Sequence, residues 1–229
     1  MGSGSDFTAF QDFAGIASLD MGFGDGPGSP IYHYHSNYDS FDWMTRFGDP
    51  GFDYHITIAK IWGLITADLV ESPVLHLNAT DYAVALKTYI DSLRGRDERK
   101  RLFGPLDRAI ERFQIASEAH DAVAAALEQK LLRDDIPWWK WWEKVKLYYA
   151  IRQVNTKYKL LERKFLHAEG LDGRPWFKHV VFAPGKWTGY SGATFPGIVE
   201  AIEEKNDYAL AKWIVIAAQV LDDAAIHLE

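Results

Sequence analysis

The sequence contains no cysteine among its 229 residues. That excludes a disulfide framework, a thiolate metal centre and a cysteine nucleophile, and it is compatible with either a cytosolic or a secreted setting. Long apolar runs are also missing. The strongest, "IWGLITADLV", is too short to span a bilayer and carries Asp68, so no membrane segment and no signal peptide are read from the chain. Excess positive charge is absent as well. A net charge of −7 argues against a nucleic-acid surface, which needs clustered Lys and Arg. Neither HExxH nor G-x-S-x-G occurs, and no Ser-His-Asp order suggests a hydrolase triad. "GSGSD" near the start is not a phosphate loop, because no strand precedes it and no Lys-Ser/Thr follows. By itself it reads equally well as a linker.

What is present is aromatic and largely helical. Nearly half of the residues are hydrophobic, enough for a substantial core in one large domain or one domain plus part of another. In "DFTAFQDFAG", Phe7, Phe10 and Phe13 recur at helical spacing and Gly15 closes the turn. "IASLDMGF" reads as a short strand, "GFGDGPGSP" as loop, and "HVVFAP" (179–184) as the best further strand, followed by "KWTGYSGATFPG" as loop. An uncovered strand edge would favour association with another chain.

From Asp49 onward the pattern is helical. Asp49-Pro50 reads as a cap and first helical residue, with a stripe through Tyr54, Ile58, Ile61, Ile65 and Leu69. "NATDYAVALKTYIDSL" is a second helix, ended by the solvated run "RGRDERKR". Its Asn78-Ala79-Thr80 is a glycan acceptor if the chain meets the secretory pathway. A third helix carries a seam of Leu106, Ile110, Phe113, Ser117, His120, Ala124, Leu127 and Leu131, with His120 read as a core histidine. A fourth starts at Pro137, its stripe running through Trp138, Trp142, Val145, Tyr149, Tyr158, Leu161 and Phe165. A fifth, 208–228, carries Leu210, Trp213, Ala217, Leu221 and Ala224. The fold class is therefore mainly α, an antiparallel helical bundle. The tryptophans of the fourth helix pack internally by default. The sharper alternative is a surface for a partner.

One stretch carries metal chemistry. In "SPIYHYHSNYDS" (29–40) His33 and His35 stand two apart, with Asp39 and Asp42 close behind. In an extended segment the two imidazoles would point the same way, and in a loop either could ligate zinc. The alternative is a pair of surface histidines bonded to their neighbours, with Asp39 a turn or cap residue. No complete catalytic site is legible in this chain.

The segments "GSGSDFTAFQDFAGIAS", "YHSNYDSFDWMTRFGDPGFDYH", "DYAVALKTYIDSL" and "GYSGATFPGIVEAI" follow the order and spacing of the C-terminal part of glutamate carboxypeptidase II-like zinc peptidases, the transferrin-receptor group. The chain resembles a fungal-type or similarly distant member. The resemblance implies that residues 1–48 are the tail of an α/β zinc-peptidase catalytic domain. Residues 49–229 would be the helical dimerisation domain, with loop 181–197 returning to the cleft. It implies that His35, not His33, is a ligand in a site of two zinc ions whose other ligands and general base come from upstream segments. Tyr34 would stand by the reacting carbonyl, Ser3, Gly4 and Ser5 would line the cleft, and Tyr190 would bind substrate.

Partners implied are a second copy, the upstream catalytic segments and a peptide substrate, with no nucleic acid. The parent would belong to the secretory pathway, the vacuole or the cell surface. This chain alone would hold zinc weakly and be inactive. Gly189 stands where glutamate-specific members carry lysine, and Asp20 and Gly22 stand where they carry arginines. Lys186 is offset, so a broader specificity than acidic peptides is expected. The competing reading is a non-catalytic dimerisation, scaffold or receptor-like module. A bundle that binds a helix or ligand in its aromatic seam is a third.

Overall fold

A computed structural model describes residues 4–24, 26–96, 100–133, 136–187, 189 and 191–229, the first two residues of the third span by their backbone alone. The chain divides into two compact units. One is formed by the described residues of Met1–Leu19 and Pro73–Glu229, the other by those of Asp20–Ser72.

The larger unit is a helical bundle. Its helices are α3 (Ala79–Gly95), α4 (Gly104–Arg133), α5 (Trp141–Leu161), α6 (Pro196–Glu203) and α7 (Asp207–Leu228). The first and last of these start on asparagine caps: Asn78 accepts the N–H of Asp81 and Asn206 that of Ala209. α4 packs along α7 and α3, α5 leans on both α4 and α7, and α6 packs on α7. The third-helix seam is buried from Leu106 to Ala124, and Leu127 and Leu131 pack at its edge. The predicted stripe of α7 is entirely buried. His120 is buried as expected, its ring centroid 4.6 Å from that of Tyr158, although Nε2 finds no hydrogen-bond partner among the described residues. The charged run after α3 is described only in part, and residues 97–99 lie outside the described residues.

Other expectations are corrected. Residues 16–23 form no strand. The strand read in "HVVFAP" exists as β1 (Phe182–Pro184), but its partner is β2 (Gly192–Thr194), inside the segment read as loop. Helix α6 follows β2 directly and is absent from the sequence reading. In the fourth helix the stripe holds only at its C-terminal end. Trp138, Trp142, Val145 and Tyr149 are exposed, and the buried set is Leu147, Ile151, Val154, Tyr158 and Leu161. Near the N-terminus the reading inverts. The helical turn Ala9–Phe13 buries Gln11 and Asp12 and leaves Phe10 and Phe13 exposed.

The smaller unit carries α1 (Phe41–Trp43), continued by a wider turn over Met44–Gly48, and α2 (Asp53–Glu71). Ser40 caps α1, its hydroxyl accepting the N–H of Trp43 at 3.2 Å. α2 begins after Phe52, which takes a left-handed conformation, and not after Asp49. Asp49 still caps it from further back, Oδ2 accepting the N–H of His55 at 3.0 Å. No residue of α2 is fully buried; of its stripe, Ile58 and Ile65 are half-buried and Tyr54 meets Phe23, ring centroids 5.0 Å apart. No helix among the described residues is long and apolar enough to cross a membrane.

Candidate functional site

The histidine stretch folds as consecutive tight turns. The carbonyl of His33 accepts both the N–H (3.2 Å) and the hydroxyl (2.7 Å) of Ser36, and the carbonyl of Ser36 accepts the N–H of Asp39 at 3.1 Å. This removes the extended geometry in which His33 and His35 would point the same way. His35 occupies the turn's third position at φ +60°, a left-handed conformation that non-glycine residues adopt at some cost. Its ring stacks on the adjacent Tyr34, with centroids 3.8 Å apart. Tyr34 is 58% exposed, and neither its hydroxyl nor the His35 imidazole hydrogen-bonds to any described residue.

The neighbours are tied elsewhere. Tyr32 donates its hydroxyl to Asp39 at 2.9 Å, a bond to a carboxylate that raises the phenol's pKa. Asp39 is thereby engaged in the loop. The His33 ring lies tilted against Tyr38, with centroids 5.7 Å apart. Every residue from Ile31 to Ser40 is exposed, so this turn presents His33 as well as Tyr34 and His35 to solvent.

Asp49 and His55 form a second polar contact in the same unit, Nδ1 to Oδ2 at 2.7 Å. Burial pushes the Asp49 carboxyl up. The bonds it accepts from the His55 ring and from the N–H groups of His55 and Tyr54 outweigh that and hold it below the usual carboxylate range.

The remaining predicted site residues are distributed. Gly4 and Ser5 are exposed in the larger unit, where the carbonyl of Ser5 accepts the N–H and hydroxyl of Thr8. Ser3 and Tyr190 lie outside the described residues. Gly189 adopts φ +62°, where a lysine would be strained. Lys186 is paired with Glu204 at 2.5 Å, which raises its pKa and leaves it committed to α6. Asp20 and Gly22 are surface residues of the smaller unit.

Sequence reasoning missed a buried polar cluster beneath the β1–β2 hairpin. His179 is fully buried, and its Nδ1 accepts the N–H groups of Val181 (3.1 Å) and Phe182 (3.0 Å). Two donors on Nδ1 require the proton on Nε2, which donates to Glu162 Oε1 at 3.0 Å. The same oxygen accepts Gln11 Nε2 at 3.2 Å. The Asp12 carbonyl accepts the N–H groups of Lys178 and His179, while both carboxyl oxygens of Asp12 are buried without a hydrogen-bond partner among the described residues. Burial pushes that carboxyl up to about 7. The available signal was polar "QD" inside an apolar repeat.

Among the described residues no group of three or more His, Asp or Glu side chains is placed to hold a metal ion. His33 and His35 offer at most two imidazole donors, so the described residues do not by themselves fit a two-metal centre.

Residues 102–229 match the family described as the Transferrin receptor-like dimerisation domain. A probable glutamate carboxypeptidase of Arthroderma benhamiae is 36% identical over 98% of this chain and 30% of its own length. Aminopeptidase NAALADL1 of Rattus norvegicus is 31% identical over 100% of this chain and 31% of its own. Vacuolar protein sorting-associated protein 70 of Saccharomyces cerevisiae is 26% identical over 93% of this chain and 27% of its own. The chain spans about 30% of the length of the curated relatives it matches, corresponding to the C-terminal part of the carboxypeptidases and of NAALADL1. Its buried α3–α7 core and its sequence together make this chain a member of the transferrin receptor-like dimerisation domain family.

Proposed function

We propose that this chain works as the C-terminal portion of a zinc-dependent exopeptidase acting on peptides. In that reading His35 supplies one metal ligand, and the other ligands and the general base come from catalytic segments beyond this chain. Tyr34 stands by the reacting carbonyl, where a phenolic hydroxyl can stabilise developing negative charge. Ser3, Gly4, Ser5 and Tyr190 contact the substrate, and the helical bundle joins two copies. Residues 1–48 belong to the catalytic part and 49–229 to the dimerisation part, with loop 181–197 returning to the cleft. The metal would polarise the peptide carbonyl and activate water. This chain's own part is to present an unengaged imidazole beside an unengaged phenol. The parent would reside in the secretory pathway, the vacuole or at the cell surface.

The observation that carries this reading is the 33–36 turn, which holds the Tyr34 and His35 rings stacked, without side-chain hydrogen bonds among the described residues, while Tyr32 donates to Asp39. The test is a chimera joining the preceding region of the Arthroderma benhamiae relative to this chain. Expected is zinc-dependent peptide hydrolysis that His35→Ala abolishes and Tyr34→Phe lowers, with the chain alone inactive and binding zinc weakly. Full activity in the His35→Ala chimera would overturn the assignment. So would tight stoichiometric zinc binding by the isolated chain.

A non-catalytic dimerisation or scaffold module is the second reading, favoured by a core that closes within α3–α7. A chimera that dimerises and folds yet never hydrolyses peptides would select it.

A further inference from the structure

The N-terminal segment of the larger unit lies outside its hydrophobic core, to which no described residue before Val74 belongs. Few contacts fasten the helical turn Ala9–Phe13 to the rest of the unit. The Asp12 carbonyl accepts the N–H groups of Lys178 (2.8 Å) and His179 (3.0 Å), and Gln11 Nε2 donates to Glu162 Oε1 at 3.2 Å. Phe13 stacks on Trp176 with centroids 5.3 Å apart. Gly15 lies so close to the turn Glu162–Phe165 that a Cβ would stand 2.9 Å from the Arg163 Cα. None of these contacts reaches into the α3–α7 packing, so the segment can leave while the helices stay packed.

The turn encloses a carboxyl. Both Asp12 oxygens are buried, with no hydrogen-bond partner and no ion pair among the described residues. The charged and titratable groups on the surrounding elements are directed elsewhere. On the turn Glu162–Phe165, Glu162 accepts from Gln11 and His179, Arg163 is exposed, and Lys164 lowers the pKa of His227. On the segment 176–179, Lys178 Nζ sits over the Phe13 ring at 4.5 Å, and His179 is held neutral by two donors on Nδ1. Tyr82 of α3 interacts with Glu162, and Asp6 is exposed. Burial pushes the Asp12 carboxyl up to about 7, and the charge of the chain's amino group opposes that rise. Ionised in place, Asp12 would be a buried charge with no direct partner. The neutral acid costs far less there, and in an opened segment water hydrates the charge.

We propose that Asp12 is a pH-responsive latch: its neutral carboxyl lets segment 4–16 close on the base of the β1–β2 hairpin, and its ionisation releases that segment without unfolding the bundle. Opening releases a proton, so the closed state is favoured most below the ordinary 3.8 and weakens as pH rises through about 7. Between about pH 5.5 and about pH 8.5 the ratio of open to closed rises on the order of tenfold. The segment carries Gly4 and Ser5, so opening would loosen one wall of the substrate cleft. That consequence rests on the proposed function, whereas the latch rests on the buried carboxyl and its surroundings.

The test is hydrogen–deuterium exchange of the full chain at about pH 5.5 and about pH 8.5, corrected for intrinsic rates and read by peptide mass spectrometry. Expected at the higher pH is a loss of protection on the order of tenfold in peptides covering 9–16 and 176–179, with α4 and α7 unchanged. Asp12→Asn keeps the shape of the neutral acid and should leave those peptides equally protected at both values. If that variant fails to fold, the parent chain decides. Carbon-13 NMR of labelled aspartate should then show a carboxyl titrating near 7, with the same midpoint as the loss of protection. Equal protection of the parent chain at both pH values would overturn the latch. So would an equal loss in Asp12→Asn, a loss with a different midpoint, or one that spreads to α7 in step with 9–16. None of these readouts involves peptide hydrolysis, so failure of the latch and failure of the peptidase reading are told apart.

Discussion

The backbone carbonyl of Asp12 accepts the N–H of His179 at 3.0 Å, across most of the length of the chain. Through this contact and the shared Glu162 oxygen, the segment that carries Gly4 and Ser5 is fastened to the base of the β1–β2 hairpin. Both segments are assigned to the substrate cleft in the proposed function, so the cluster acts as their common anchor.

His179→Ala would leave the N–H groups of Val181 and Phe182 without a partner in a buried site and Glu162 Oε1 with Gln11 alone. Each orphaned polar group costs about 1–3 kcal/mol, and the lost ring adds a cavity. The expected loss is about 3–5 kcal/mol by denaturant unfolding, with amide exchange at Val181 and Phe182 accelerating first. An unchanged midpoint would show that the cluster does not anchor the hairpin.

Asp12 should make stability fall as pH rises. Its carboxyl is raised to about 7 in the fold against an ordinary 3.8, so between those values the folded state holds a proton that the unfolded state has released. The destabilisation grows through that window and levels off above it. Asp12→Asn should flatten the profile and raise stability near pH 8 by about 1–3 kcal/mol. Parallel melting-temperature profiles for the two proteins would contradict this.

Asp121 should act in the opposite sense. It accepts Ala79 N–H (3.1 Å), Thr80 N–H (2.8 Å), Thr80 Oγ1 (2.5 Å) and Tyr158 Oη (2.6 Å), joining α4 to the start of α3 and to α5. Burial raises its pKa, but these bonds outweigh burial and hold it below 3.8. Its stabilisation is complete above that value and is lost as pH falls through the depressed folded pKa. Asp121→Ala should cost about 2–3 kcal/mol at neutral pH, and the two proteins should converge in strong acid. A constant difference down to pH 2 would refute the assignment.

Gly197 should tolerate no side chain. A Cβ there would sit 2.2 Å from Cδ2 of Trp213. That ring is buried, and its Nε1 donates to Asp172 at 2.9 Å, so it has little freedom to give way. Gly197→Ala should destabilise by about 1–3 kcal/mol, the usual cost of overpacking, and should weaken the Trp213 contact seen by near-UV dichroism. A neutral substitution would mean that α6 can move away from α7.

The lesson about legibility lies in which stripes found cover. Helical period alone placed α3, α4 and α7 and named the buried residues of α4 and α7, because a 3.6-residue repeat marks an apolar face whatever lies beside it. The same rule failed for Trp138, Trp142 and Tyr149 and for the α2 stripe. Periodicity identifies an apolar face but not the neighbour that would cover it. It failed in reverse at Gln11 and Asp12, whose burial depends on Glu162 and His179, far away in sequence. The Tyr34–His35 pair was legible from sequence and family resemblance, but its left-handed turn was not.

By itself, then, the sequence determined the helical class, the length and inward face of the central helices, and the family to which the chain belongs. These rest on local spacing and on residue order. Only the tertiary structure decided the β1–β2 pairing, the buried cluster under it, the commitment of Lys186 to Glu204, and the exposure of the α5 tryptophans. Each of those depends on contacts between residues distant in the chain, where the cost of burying a polar group or leaving an apolar one in water is set by its neighbours.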